Sequence, residues 1–328
     1  MRLKTPALSA LVITIAISSC SRDELPVAPH ESGNVTAMSV DMDPYYKYQI
    51  YYDLRTNTVV GQHEKTIWDI GIEASAGGYR VVLNGAKAMY AFATSKTDFA
   101  SVSLADSAGF AAGMRWDSHT GSMDSTAIGD WRVLKPVYII DRGMDEKGVH
   151  QGWAKLQMTD VTETSCHIRF ASLPGGESRE LTVQKDSLYN LAFVSFTTGE
   201  QVRAEPPKAT WDLAFTQYTY VFYDQDPPTP YLVTGCLLNR NNTTAYIDTT
   251  TAFSDISLST VTTEKLTNDL NTIGYDWKVY TSSGAYVVLA GKSYIIRDAD
   301  GILYKLHFTG FYNQSGVKGT PQWEYQQL

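Results

Sequence analysis

The sequence predicts an all-β, mostly antiparallel protein made of two tandem units, and three observations carry that prediction. Composition leans towards sheet: 21 of 328 residues are tyrosine, and Thr, Val and Ile, which suit a pleated half-buried surface, are frequent. Segments such as "TWDLAF" at 210–215 alternate, with Trp211, Leu213 and Phe215 on one face and Asp212 and Ala214 on the other, the period of a strand with one buried side. Finally, a series of landmarks occurs twice in the same order.

The chain opens on a short basic start (Arg2, Lys4), an apolar run from Ala7 to Ile17, and small residues. The run is too short for a membrane span and reads as an export signal over 1–19. Its end, Ile17-Ser18-Ser19-Cys20, resembles a bacterial lipobox, which makes Cys20 the expected lipidation site and the membrane a partner through a lipid anchor. The following "SRDE" resembles surface-export tags of Bacteroidetes lipoproteins and points to the outer face of the outer membrane. Residues 20–44 read as the lipidated cysteine and a polar tether, with regular patterning from Tyr45.

Two units follow, at 45–180 and 188–328. Each begins with a strand, a polar turn and a strand: "YKYQIYYDLRTNTVVGQHE" in the first, "SLYNLAFVSFTTGEQV" in the second. Each continues through Trp-Asp ("TIWDIGI" at 66–72, "TWDLAF") to a run ending on Leu-Asn, at Leu83-Asn84 and Leu238-Asn239. Then come "TDFASVSL" and "TAFSDISL", "IGDW" and "IGYDW", and "VYIIDRG" and "SYIIRDADG". Landmarks kept in one order mark an internal duplication. In the second unit "SYIIRDADGILYKLHFTGF" predicts a hairpin about Asp300-Gly301. Leu266 and Leu270, four apart before Gly274, predict one helix in "TTEKLTNDLNTIG".

Net charge of −8 and a pI near 5.3 exclude nucleic acid as a main partner. No H-E-x-x-H, G-x-S-x-G or phosphate-cradling glycine loop is present, so the chain reads as a non-enzyme. "DADG" starts like a calcium loop but lacks the later bidentate acid and reads as a turn. Cys166 and Cys236 are expected as buried free thiols, with pairing the other reading. The run from Phe215 to Tyr231 holds six aromatic rings, suited to sheet packing or to an apolar cleft for a planar ligand.

The landmarks "FVSFTTGEQV", "TWDLAF", "FSDIS" and "YIIRDADGILYKLHFTGF", with the lipobox and tether, resemble the HmuY family of haem-binding surface lipoproteins. The match is closer in the second unit, and the first carries it through "WDIGI", "FASV" and "VYIIDRG". The resemblance implies a haemophore-like role: haem held by two His or Met side chains and passed to a TonB-dependent outer-membrane receptor. One family ligand position falls at about Thr244 in the second unit and about Tyr90 in the first, beside Met89. The other falls near Ser282 and Ser283, which are poor iron ligands. The candidate haem-binding residues are therefore Met89 and, in the loop "GMRWDSHTGSMD", Met114, His119 and Met123. The alternative is a non-haem surface binding or interaction lipoprotein whose duplicated scaffold lacks the iron ligands.

Overall fold

The computed structural model describes residues 32–328, so the signal, Cys20 and the start of the tether lie outside the described residues. The all-β expectation holds. Among the described residues every strand pair is antiparallel, and the one α-helix, Phe110–Gly113, is a single turn. No helix among the described residues is long and apolar enough to cross a membrane.

Two five-stranded and two four-stranded sheets carry the fold. One five-stranded sheet runs Arg179–Gln184, Ser165–Leu173, Trp153–Val161, Val137–Asp141, Tyr90–Ala93. The other runs Thr36–Ser39, Lys318–Gln327, Leu303–Tyr312, Ser293–Arg297, Thr244–Asp248. The four-stranded sheets are Glu200–Val202, Leu191–Ser195, Ile70–Glu73, Val81–Leu83 and its counterpart Thr58–Glu64, Tyr48–Asp53, Leu213–Phe222, Thr229–Leu238. The two sets repeat the same order, strand for strand. This is the duplication expressed as structure.

The repeats and the packed units are divided differently. The first hairpin, Tyr48–Asp53 with Thr58–Glu64, pairs with Leu213–Phe222 of the second repeat. The second hairpin, Leu191–Ser195 with Glu200–Val202, pairs with Ile70–Glu73 of the first. The cores follow suit. One is built from residues between Ile70 and Phe196, including Trp131 and Leu156. The other joins Val40 to Leu54 with Leu213 to Tyr325, including Trp277 and Trp323. Residues 66–204 thus make one contiguous packed unit, and 32–65 with 205–328 make its counterpart.

Chain geometry explains the exchange. Were Tyr48–Asp53 to pair with Ile70–Glu73, its hairpin partner Thr58–Glu64 would lie parallel to Ile70–Glu73. Joining two parallel strands on either side of a third needs a crossover of about a dozen residues or more. Only Lys65–Asp69 lies between them. The hairpin therefore passes to the other unit, and the open edge of Ile70–Glu73 accepts the second hairpin.

Two sequence expectations change. Thr36–Ser39, read as tether, is an edge strand on Lys318–Gln327, and Val40 and Met42 behind it are buried. The helix expected in 262–274 is a 3-10 turn at Thr263–Lys265 followed by extended chain. There Thr267 exchanges two backbone hydrogen bonds with Ala245, and the Leu270 amide donates to the Thr120 carbonyl. Tertiary pairing overrides a weak Leu periodicity in a Thr- and Asn-rich stretch. The hairpin about Asp300-Gly301 is present, with Arg297 opposite Leu303. Cys166 and Cys236 are free and buried, one in each core.

Candidate functional site

The two Trp-Asp segments meet at the seam between the units, held by matching asparagine clasps, the second of which also accepts from Asn190 Nδ2 (3.0 Å). Asn84 Nδ2 donates to the carbonyls of Lys65 (2.7 Å) and Trp68 (2.9 Å), and its Oδ1 accepts the Ala86 amide (3.0 Å). Asn239 Nδ2 donates to Lys208 (2.7 Å) and Trp211 (2.6 Å), and its Oδ1 accepts the Asn241 amide (2.9 Å). Each tryptophan then meets an aromatic ring edge-on: Trp68 with Phe193 at 4.8 Å between centroids, Trp211 with Tyr51 at 4.9 Å. Between them lies a cavity of about 160 Å³ whose walls include Trp68, Trp211, Leu191, Met89, His119 and Arg240.

The cavity's polar groups break this symmetry. Trp68 Nε1 donates to Gln49 Oε1 (2.8 Å), and Gln49 Nε2 donates to Thr216 Oγ1 (2.8 Å). Strand register sets Val194 opposite Ile70 and Tyr52 opposite Leu213, so Leu191 stands where Gln49 stands in the other half. Trp211 Nε1 consequently has no partner among the described residues, although the residue is only 7% exposed. A second difference follows the clasps: Gly85 succeeds Asn84, whereas Arg240 succeeds Asn239.

Arg240 Nη1 donates to the Gly121 carbonyl and reaches Met123 Sδ at 3.4 Å. The carboxylates nearest it are turned to backbone amides. Asp117 accepts from Leu83 (2.6 Å) and Ala127 (2.8 Å), and Glu205 accepts from Asn190 (2.6 Å) and Leu191 (2.9 Å). Burial pushes Asp117 up to about 6, raises Glu205 and lowers the Arg240 guanidinium, since low polarity disfavours each charged form.

The 116–125 loop closes one side of the cavity. Asp117 pins its base, the Ser118 amide donates to the Ser125 carbonyl (2.8 Å), and Thr120 accepts from Leu270 across the seam (2.8 Å). Gly121 needs its left-handed backbone (φ 78°) and its missing Cβ, which would lie 2.3 Å from Leu270 side-chain atoms.

Of the four candidate iron ligands, Met89 and His119 line this cavity. Met89 is also packed into the core of the 66–204 unit. His119 stacks on Tyr220 at 4.1 Å, with Nδ1 unpartnered and its basicity lowered by burial. Met123 packs beside Trp68 and Val82. Met114 belongs elsewhere, against Phe99, Phe110 and Val137. Among the other family positions, Tyr90 packs near Phe110, and Ser282 and Ser283 sit exposed in a turn. Trp211, Gln49 and Arg240, which shape the cavity's polarity, carry none of the His or Met chemistry by which the sequence marks iron ligands. The signal for Trp211 and Arg240 is the Trp-Asp and Leu-Asn landmarks, which read as structural, and Gln49 lies in the first hairpin outside both.

Six-coordinate haem needs two soft or imidazole ligands facing each other across a porphyrin plane. The residues present do not provide that in this arrangement. The three candidate methionines fall in three different packing clusters, and 160 Å³ is below the roughly 300–1,000 Å³ typical of sites for drug-sized ligands. Among the described residues no cluster of three or more His, Cys, Asp or Glu could hold a metal ion.

A family profile described as HmuY protein matches residues 45–131 and 222–325. No curated protein matches the chain. Solved structures similar to it include the apo HmuY analog of Tannerella forsythia, at 11% identity, covering 91% of this chain and 97% of that one with a TM-score of 0.26. Apo PinO from Porphyromonas gingivitis gives 11%, 90%, 97% and 0.26. A Bacteroides vulgatus protein described as HmuY-like and heme-binding gives 12%, 89%, 90% and 0.22. Overlays this loose carry no residue-level argument.

Proposed function

Since the chain belongs to the HmuY family, we propose that it is a non-enzymatic outer-membrane surface lipoprotein, anchored through Cys20. It captures a ligand in the seam cavity and delivers it to a TonB-dependent receptor. The observation that supports this best is a partly open, mainly apolar cavity between Trp68 and Trp211 with unsatisfied donors on its wall, the usual make-up of a small-molecule site. Its volume favours a ligand smaller than a porphyrin.

Haem or a related porphyrin is the second reading. It rests on the family and on His119, whose free Nδ1 lies in a residue that shares the cavity wall with Met89. Haemin titration followed at the Soret band separates the two. The small-ligand reading expects no saturable red-shifted band in either oxidation state. A saturable band, lost in His119→Ala or Met89→Ala, would replace it with the haem reading.

A further inference from the structure

We propose that the seam cavity takes a single-ring aromatic molecule bearing a carboxylate, with the carboxylate on Arg240 and Trp211 Nε1. This rests on the reading of the cavity as the ligand site and names the class of molecule it accepts.

Size sets the ring. The cavity's 160 Å³ is close to the roughly 150 Å³ of an engineered apolar cavity that binds benzene. Its walls supply flat and aliphatic surface from Trp68, Trp211, Phe193, Leu191 and Leu238, suited to edge and face contacts with one ring.

Polarity sets the substituent. Three of the cavity's acceptors are already engaged: the Gln49 side-chain oxygen by Trp68, and the Asp117 and Glu205 carboxylates by backbone amides. Unpartnered donors remain on the wall, beside the Tyr218 hydroxyl and His119 Nδ1, which can each donate or accept. Trp211 Nε1 and Trp116 Nε1 have no partner, and Arg240 makes no ion pair within 4.0 Å among the described residues. Trp68 directs its N–H across the seam at Gln49. Strand register places Leu191 at the position equivalent to Gln49, and both Leu191 and Trp211, whose Nε1 is unpartnered, line the cavity. A buried donor left without an acceptor is costly, and a carboxylate satisfies several at once, two of them from a guanidinium fork. Asp117 and Glu205 oppose an anion through space, so the charge on the ligand is the part most exposed to test.

The test uses the full chain in detergent, with 4-fluorobenzoate observed by fluorine NMR and detergent alone as control. We expect saturable binding, weaker for 4-fluorobenzyl alcohol and weakest for 4-fluorobenzylamine. Arg240→Met should weaken 4-fluorobenzoate about tenfold or more, the effect of a lost charge-assisted bond. Trp211→Phe should weaken it a few-fold. Leu191→Gln should also weaken it, by giving Trp211 Nε1 the partner that Gln49 gives Trp68, without removing either donor. Benzylamine binding as tightly as benzoate, or benzoate binding that Arg240→Met and Leu191→Gln leave unchanged, would overturn the proposal. Absence of benzoate binding together with a haemin band lost in His119→Ala would overturn it while leaving the cavity as the ligand site. Absence of both would remove the cavity reading as well.

Discussion

Aspartate in the Trp-Asp landmark shows how two copies of one residue acquire different chemistry. Both carboxylates accept an amide from the exchanged hairpin, Asp69 from Phe196 (2.7 Å) and Asp212 from Leu54 (2.9 Å). Asp69 also faces Lys87 (2.6 Å) and Arg142 (3.1 Å). In the second repeat Arg142 is matched by Asp298, so Asp212 faces like charge, and burial together with Asp53 and Asp298 pushes it up to about 7. Lys278 moves the other way: burial lowers its ammonium to about 7, although Trp277 (4.2 Å) and Phe311 (4.7 Å) lie against it. The signs follow from which state holds the proton. Between about pH 4 and 7 folded Asp212 keeps a proton that the unfolded chain has lost, so its contribution falls as pH rises, by about 1.4 kcal/mol per pH unit. Between about pH 7 and 10.5 folded Lys278 is neutral while the unfolded chain is charged, so its contribution rises with pH at a similar slope. Urea denaturation across this range should show Asp212→Asn gaining on the wild type from pH 4 to 7. Lys278→Met should hold its largest advantage at or below pH 7 and lose it by pH 10. Parallel curves for variant and wild type would remove the charge assignments.

Elements were largely legible in the sequence, and their partners were not. Alternation marked both hairpins, both Trp-Asp strands and the hairpin about Asp300-Gly301 because each buries one face. The choice of partner was hidden: Tyr48–Asp53 suits the edge of either Trp-Asp strand, and only the length of Lys65–Asp69 decides between them. Thr36–Ser39 was hidden because a four-residue edge strand alternating polar with small residues owes its existence to Lys318–Gln327. At the site, Met89 and His119 could be read from ligand chemistry, whereas Arg240 and Trp211 matter through the broken symmetry that only superposed repeats reveal. The asparagine clasps were visible as Leu-Asn landmarks without a role, and their role is testable. Asn84→Ala strands two buried carbonyls, which should cost about 2–4 kcal/mol in chemical denaturation, whereas Asn239→Ala strands the Trp211 carbonyl and leaves Lys208 to Asn241 Nδ2, which should cost about 1–3 kcal/mol. Asn239→Ala should also weaken ligand binding, because it frees both Trp211 and the start of the Arg240 loop. A loss below about 0.5 kcal/mol in both would mean that the clasps are incidental to the seam.

At the scale of the molecule, the exchange ties the two units together by chain passage as well as by contact. The chain crosses the seam at about 65–66 and returns at about 204–205, and residues on both crossings face the cavity's surroundings: Lys65 Nζ donates to Gln217 Oε1 (2.5 Å), and Glu205 lines the wall. The same topology predicts which fragments fold. Residues 66–204 hold a complete four-stranded sheet, a complete five-stranded sheet and their own core. Residues 188–328 lack Thr36–Ser39 and the Tyr48–Glu64 hairpin, which leaves both sheets of the second unit short and uncovers Leu213, Phe215 and Trp323. Expressed alone, 66–204 should melt cooperatively with a sheet-type circular dichroism spectrum, and 188–328 should not. Adding 32–65 in trans should restore a cooperative transition to 188–328, because the missing strands pair through backbone bonds at two open edges. If instead 45–180 and 188–328 each melted cooperatively while 66–204 did not, the repeats would be the folding units, the exchange would be a late event, and the seam cavity would lose the rigid frame that its ligand chemistry requires.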